Sequence, residues 1–218
     1  MRQRWNHIFF IHSKVDPVAL QRHVPFELDL IEGNALLSIV PFQMDKICFL
    51  GVPPLPFFSH LWELNLRTYV TLGGERGVYF FTLDTDSRLG CFVANRFFHL
   101  PYRVSEIKAS VSKERYQFQS YRPPFSFSLQ FQFSGKKKSL TPLNQWATQR
   151  DRLFVRKGKK VYEGRVLHKE WPLEEVYNIS IKDHFSTQLP LLCNFDHQEA
   201  CYARQLEVEF LPFRQLSI

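Results

Sequence analysis

The residues best placed to do chemistry stand together in Glu63-Leu64-Asn65-Leu66-Arg67-Thr68-Tyr69-Val70. On an extended strand Glu63, Asn65, Arg67 and Tyr69 point one way, and Leu64, Leu66, Thr68 and Val70 the other. The second set packs in a core; the first meets water or lines an interior cavity. Glu63 and Arg67 lie about 13 Å apart by the rise per residue, too far to pair directly. Each then needs a partner from a neighbouring strand or a ligand between them. Exposed strand positions elsewhere are Ser, Gln and Lys, so Asn65 and Tyr69 favour the cavity.

Two further clusters can converge on such a cavity. Arg96-Phe97-Phe98-His99-Leu100-Pro101-Tyr102 reads as a helix end leading into a strand. In Val166-Leu167-His168-Lys169-Glu170-Trp171-Pro172-Leu173, His168 is an acid or base and Trp171 an apolar wall, or the two are a packed pair. The expectation is a small-molecule pocket for a carboxylate or keto-acid-like ligand, since arginine binds carboxylates bidentately. Glu63 and Tyr102 are the expected proton-transfer residues. Asn65, Arg67, Tyr69, Arg96, His168 and Trp171 are the expected ligand contacts. If the protein is an enzyme, a cofactor-free lyase, isomerase or hydratase step follows from those groups.

The elements that must hold these residues are mostly strands. Phe125 to Phe133 alternates apolar and polar without a fault, placing Phe125, Phe127, Leu129, Phe131 and Phe133 on one buried face. Tyr116–Tyr121 precedes it across Arg122-Pro123-Pro124, as in an antiparallel pair. Val78–Leu83 is apolar on both faces and reads as an interior strand. Further strands are expected at Trp5–Ile11, Ala35–Met44, Leu61–Leu72, Tyr102–Ser112, Lys160–His168 and Tyr202–Phe210. Three short helices are expected: Pro17 to His23 capped by Asp16, Arg88 to Phe98, and Leu143 to Leu153 after Thr141-Pro142. Many strands without regular βα alternation give a β-rich α+β fold. With 218 residues, no repeat and no linker, one domain over 1–218 is expected.

Composition narrows the function. Lys136 to Lys160 holds nine basic residues against Asp151, while the whole chain is only +7. That strip suits nucleic acid or an acidic partner, with Trp146 or Phe154 as a stacking platform, in a non-catalytic interaction module. The plainer reading is two solvated turns, Gly135-Lys136-Lys137-Lys138 and Lys157-Gly158-Lys159-Lys160. No apolar run reaches the roughly 18 residues of a membrane span, because Pro53, Pro54 and Pro56 break the greasiest stretch. Asn6, His7 and His12 interrupt the apolar segment behind Met1-Arg2-Gln3-Arg4, so no signal peptide is expected. The four cysteines are scattered and the eight histidines lack metal spacing. A cytoplasmic protein with free thiols, no metal and no cofactor is expected, and a sheet-edge homo-oligomer stays open. Phosphate-binding loops, the Gly-x-Ser-x-Gly elbow and His-Glu-x-x-His are all missing.

Several of these strings resemble the YqjF-like family of uncharacterised conserved proteins. They are Trp5 and Phe10 through Asp16-Pro17-x-x-Leu20, Val24-Pro25, and Glu63 to Val70. Gly77-Val78-Tyr79-Phe80-Phe81-Thr82-Leu83-Asp84, Leu100-Pro101-Tyr102, Tyr121-x-Arg and His168-x-x-Trp171-Pro172-Leu173 continue the series in order. That family is more distantly similar to the acetoacetate decarboxylase superfamily, which implies an antiparallel β-barrel with a few short outer helices and an internal pocket. The resemblance also implies a place for the lysine that forms a Schiff base there, directly after a proline. Here that place reads Pro101-Tyr102-Arg103. Tyrosine cannot form an imine and arginine stays protonated, so the usual decarboxylation is not expected.

Overall fold

The period-two segments form strands, and their pairing closes on itself. The structure, a computed structural model, describes residues 1–48 and 60–217; Pro53, Pro54 and Pro56 lie outside them. The first half runs β1 (Arg2–Val15), α1 (Pro17–Gln21), β2 (Glu27–Leu28), β3 (Ala35–Cys48), β4 (His60–Leu72), β5 (Glu75–Thr85) and α2 (Arg88–Val93). A π turn (Ala94–Phe98) leads to β6 (Tyr102–Val104), β7 (Glu106–Val111), β8 (Arg115–Arg122) and β9 (Phe125–Lys137). After α3 (Pro142–Thr148) come β10 (Arg152–Lys157), β11 (Lys160–His168), β12 (Leu173–Asp183), β13 (Cys201–Phe210) and β14 (Arg214–Leu216).

Strands β11, β10, β5, β4, β3, β1 and β13 are neighbours in that order, and β13 pairs back onto β11 through Val166↔Phe210 and His168↔Val208. The ring is antiparallel except where β10 meets β5, a parallel contact at Leu153↔Val78. From β13 the sheet continues through β12, β9 and β8 to β7. This wing folds over the outside of the barrel. Phe118, Phe127, Leu129 and Phe131 share one core with Ile11, Ile39, Leu64 and Leu66 of the barrel strands. Phe131 stacks on Phe9 and on Tyr116, each with ring centres 4.9 Å apart. The alternating phenylalanines of β9 thus bury their face against the outward leucines of β4, leaving the polar face of β4 for the barrel interior.

Three expectations need correction. The third helix ends at Thr148, not Leu153. Thr141 caps it by accepting from the Asn144 amide at 3.1 Å, and Thr148 Oγ1 bonds back to the Asn144 carbonyl at 2.7 Å. Beyond it Leu153-Phe154-Val155 is buried as strand β10, paired residue by residue with β11 around the turn Gly158 makes at φ +60°. Burial on both faces of a strand outweighs helix continuation for this aromatic and β-branched run. Second, Tyr102–Ser112 is two strands. Ser105 is buried with its hydroxyl 2.8 Å from Ser120, and the chain there changes partner from β5 to β8. Third, β12 went unanticipated, because Leu173–Asp183 carries charges on its exposed face and a bulge at Asn178, φ +53°. The segment Arg88–Phe98 is helical, but its second half is the π turn, which ends on left-handed His99.

Candidate active site

Inside the barrel lies a cavity of about 350 Å³. Its wall is largely apolar: Ile8 and Phe10 of β1, Val40 and Phe42 of β3, and Phe80 and Leu83 of β5 contribute, with Trp5 and Trp171. Gly90, Val93, Ala94 and Phe98 close one side from α2 and the π turn. The polar exceptions on β4 are Glu63, Asn65 and Arg67, on the face the alternation assigned to them.

Glu63 is 2 % exposed and sits between two donors. The Tyr102 hydroxyl donates to its Oε2, and Asn65 Nδ2 donates to its Oε1 at 3.2 Å. Tyr102 gets there because Asn95 grips its backbone, accepting from the Tyr102 amide and donating to the carbonyl, each at 3.0 Å. Burial drives the Glu63 carboxyl up to about 7, against the pull of both donors and of Arg67. Burial and the neighbouring Glu63 raise the Tyr102 phenol well above its usual range, so it stays a donor. A carboxyl with affinity for a proton near neutrality, fixed beside an apolar cavity, is equipped for proton transfer.

Arg67 stands at a β-bulge. The β4–β5 register slips between Leu66↔Thr82 and Arg67↔Phe80, leaving Phe81 as the extra residue in β5. The cavity face of β5 therefore changes from Val78 and Phe80 to Leu83 and Thr85, while β4 keeps its period of two through Arg67. Its guanidinium carbon lies 5.4 Å from the Phe10 ring centre and 5.7 Å from that of Tyr69. No ion pair among the described residues includes Arg67, and its Nε is buried without a hydrogen-bond partner. Asn65 Oδ1 is likewise buried and unpartnered. Of the partners that sequence spacing required, Glu63 has found Tyr102, while Arg67 has only rings.

Trp171 and His168 also reach the cavity. Trp171 Nε1 donates to the Thr148 carbonyl at 2.9 Å, and its ring meets Phe10 edge-on at 4.9 Å and His168 at 5.1 Å. Two expected contacts are placed elsewhere. Tyr69 shares the inward face but is fully buried below the cavity, sharing a 2.9 Å hydrogen bond with Ser38, whose hydroxyl lies 2.7 Å from His12 Nδ1. The barrel end there is filled by packed side chains around Leu36, Ala147 and Leu206, so Tyr69 meets no open space. Arg96 is exposed, lying over its neighbour Phe97 at 5.7 Å. The π turn rotates it outward and turns Phe98 inward instead. Arg150 was expected only as part of the basic strip, yet it reaches the cavity wall. No spacing in the sequence links it to β4; only the early end of α3 brings it in.

The strip itself divides. Lys136, Lys137, Lys157, Lys159 and Lys160 are exposed at the two turns. Arg152 is engaged by Glu163 and, at 3.0 Å, by Glu75, and Arg150 by Asp29 at 2.5 Å. Among the described residues no cluster of three His, Cys, Asp or Glu side chains could hold a metal ion, and no helix is long and apolar enough to cross a membrane.

Comparison with known proteins adds to this geometry. The family model DUF2071, described as an uncharacterized conserved protein, matches residues 2–207. The uncharacterized protein YqjF of Bacillus subtilis (strain 168) is 34% identical over 236 aligned positions, covering 100% of this chain and 93% of its own. Among solved structures, acetoacetate decarboxylase from Legionella pneumophila superposes with a TM-score of 0.72 at 12% identity, covering 100% of this chain and 88% of that one. The enduracididine biosynthesis enzyme MppR complexed with pyruvate also gives 0.72 at 12% identity, covering 99% of this chain and 90% of that one. At such identity the likeness is one of fold.

Proposed function

The chain belongs to the DUF2071 family of uncharacterized conserved proteins, and from that premise and the cavity we propose that it binds a short carboxylate of the keto-acid kind inside its barrel. The carrying observation is Arg67, a guanidinium at the cavity wall with no counter-ion among the described residues, beside a carboxyl poised near neutrality. A ligand carboxylate supplies the missing acceptors bidentately. Its 2-oxo group then faces the Glu63–Tyr102 pair. The low-dielectric walls strengthen each of these contacts, because little water competes.

Proton transfer is the chemistry these groups support. Ionised Glu63 takes a proton from the carbon next to the 2-oxo group, and the electron pair moves onto the oxygen. The enolate is held by the nearby donors until the proton returns. No Schiff base takes part in this reading. Tyr102 stands where the resemblance places the imine-forming lysine, no lysine lines the cavity among the described residues, and residues 49–59 contain none. The decarboxylase-like neighbours support the fold, and MppR with pyruvate supports the ligand class.

The test is calorimetric titration with pyruvate, 2-oxobutyrate and 2-oxovalerate, each against its amide. The acids bind and the amides do not, and Arg67→Gln loses at least about tenfold, the worth of one charge-assisted hydrogen bond. Proton NMR in D2O follows deuterium uptake beside the 2-oxo group; Glu63→Gln binds but does not exchange. Borohydride added with the keto acid leaves no mass increment on any lysine. Equal affinity for acid and amide, or a reduced lysine adduct, refutes the proposal.

A further inference from the structure

Arg150 was enlisted by none of this. Its side chain is 2 % exposed and is fixed at three points. Nε donates to the Trp146 carbonyl at 2.9 Å, Nη1 donates to Asp29 at 2.5 Å, and the guanidinium lies 4.1 Å from the Trp146 ring centre. Nη2 remains, buried and without a partner. A buried donor left unpaired carries a desolvation cost that an acceptor would remove. Asp29 does not neutralise this corner, because it is shared with Arg76 at 2.7 Å, so two guanidinium groups meet one carboxylate.

The Arg67 and Arg150 guanidinium carbons lie 5.7 and 5.2 Å from the centre of the same Tyr69 ring. They are therefore no farther apart than those two lengths laid end to end, within reach of a molecule of a few carbons. Both arginines line the same cavity. Arg67 has no ion-pair partner among the described residues, and the Arg150–Arg76–Asp29 group keeps one net positive charge, in an apolar setting where such charge is weakly screened. We propose that the cavity takes a dianion: a short acid with a second acidic group, one held by Arg67 and the other by Nη2 of Arg150. This rests on the carboxylate reading of Arg67 and sharpens it from monoacid to diacid.

Matched pairs of equal carbon number separate the two. Calorimetry compares 2-oxoglutarate with 2-oxovalerate, and 2-oxoadipate with 2-oxohexanoate, on the native chain at fixed ionic strength. The expected result is a diacid at least about tenfold tighter than its monoacid, as one further charge-assisted contact gives. In Arg150→Lys, which keeps a cation for Asp29 but removes Nη2, the preference falls to within about twofold while monoacid affinity holds. Equal affinity within each pair on the native chain overturns the dianion and leaves the carboxylate reading standing. A preference that survives Arg150→Lys overturns the assignment to Arg150. Binding of neither acid overturns both readings, and the native-chain comparison decides the matter even if the variant fails to fold.

Discussion

Replacing Glu63 with glutamine should make the protein more stable, and only above mildly acid pH. In the unfolded chain the carboxyl titrates near its ordinary 4.5; in the barrel burial raises it to about 7. Below pH 4.5 both states carry the proton and the group is neutral to folding. As pH rises, the unfolded chain releases its proton first, so the native state loses ground until its own carboxyl ionises near 7. At 1.36 kcal/mol for each pKa unit, the native chain forfeits about 3 kcal/mol across that window. Glutamine forfeits none. Its carbonyl still accepts from Tyr102, and a half-turn of the Asn65 amide offers Oδ1, now unpartnered, to the new NH2. For a chain of this length that is about 6–12 °C in melting temperature. Melting curves by circular dichroism from pH 4 to 8.5 should show native and Glu63→Gln together at pH 4 to 4.5 and parting steadily to pH 7. A difference constant in pH, or a variant less stable than native at pH 8, would refute the claim that burial holds this carboxyl neutral.

Tyr102→Phe removes a donor that stabilises the ionised Glu63, so the midpoint of that window moves to higher pH, read from the same melts and from the pH dependence of deuterium exchange. Arg122→Ala strands Asp84, 1 % exposed and otherwise paired with Arg122 at 2.8 Å. It should cost about 3–5 kcal/mol in urea unfolding at neutral pH, with Asp84→Asn restoring most of the loss. Gly77→Ala brings a methyl within 2.7 Å of the Phe154 ring and 3.0 Å of the Arg152 carbonyl, where β5 crosses β10. A loss of about 1–3 kcal/mol is expected, and unchanged stability would mean the β5–β10 contact is looser than described.

What the chain reveals before folding follows from which interactions are local. The leucines of β4 and the phenylalanines of β9 alternate strictly, and period two alone assigns their faces. The buried face of β9 and the shared face of Glu63, Asn65 and Arg67 were therefore legible, whereas the packing of β9 over the outside of the barrel was not. Tyr69 shares that face, yet depth along the barrel axis decides whether it meets the cavity, and no periodicity encodes depth. Arg96 was misjudged because a π turn advances the chain by an extra residue and swaps which side chain faces in. Arg150 was hidden by its company: among eight other basic residues it reads as surface charge. Asp29, 121 positions away, anchors it instead. The decarboxylase-like barrel was accessible through resemblance, whereas the parallel junction between β10 and β5 was not, because α3 stops sooner than its sequence suggests.

The most direct trial is a crystal structure of the chain grown with excess 2-oxobutyrate. The acid should lie in the barrel, its carboxylate oxygens within about 3.2 Å of Arg67 nitrogens and its 2-oxo group toward Glu63 and Tyr102, with no bond to any side chain. A ligand found covalently on a lysine, or seated anywhere that leaves Arg67 facing only Phe10 and Tyr69, would contradict it.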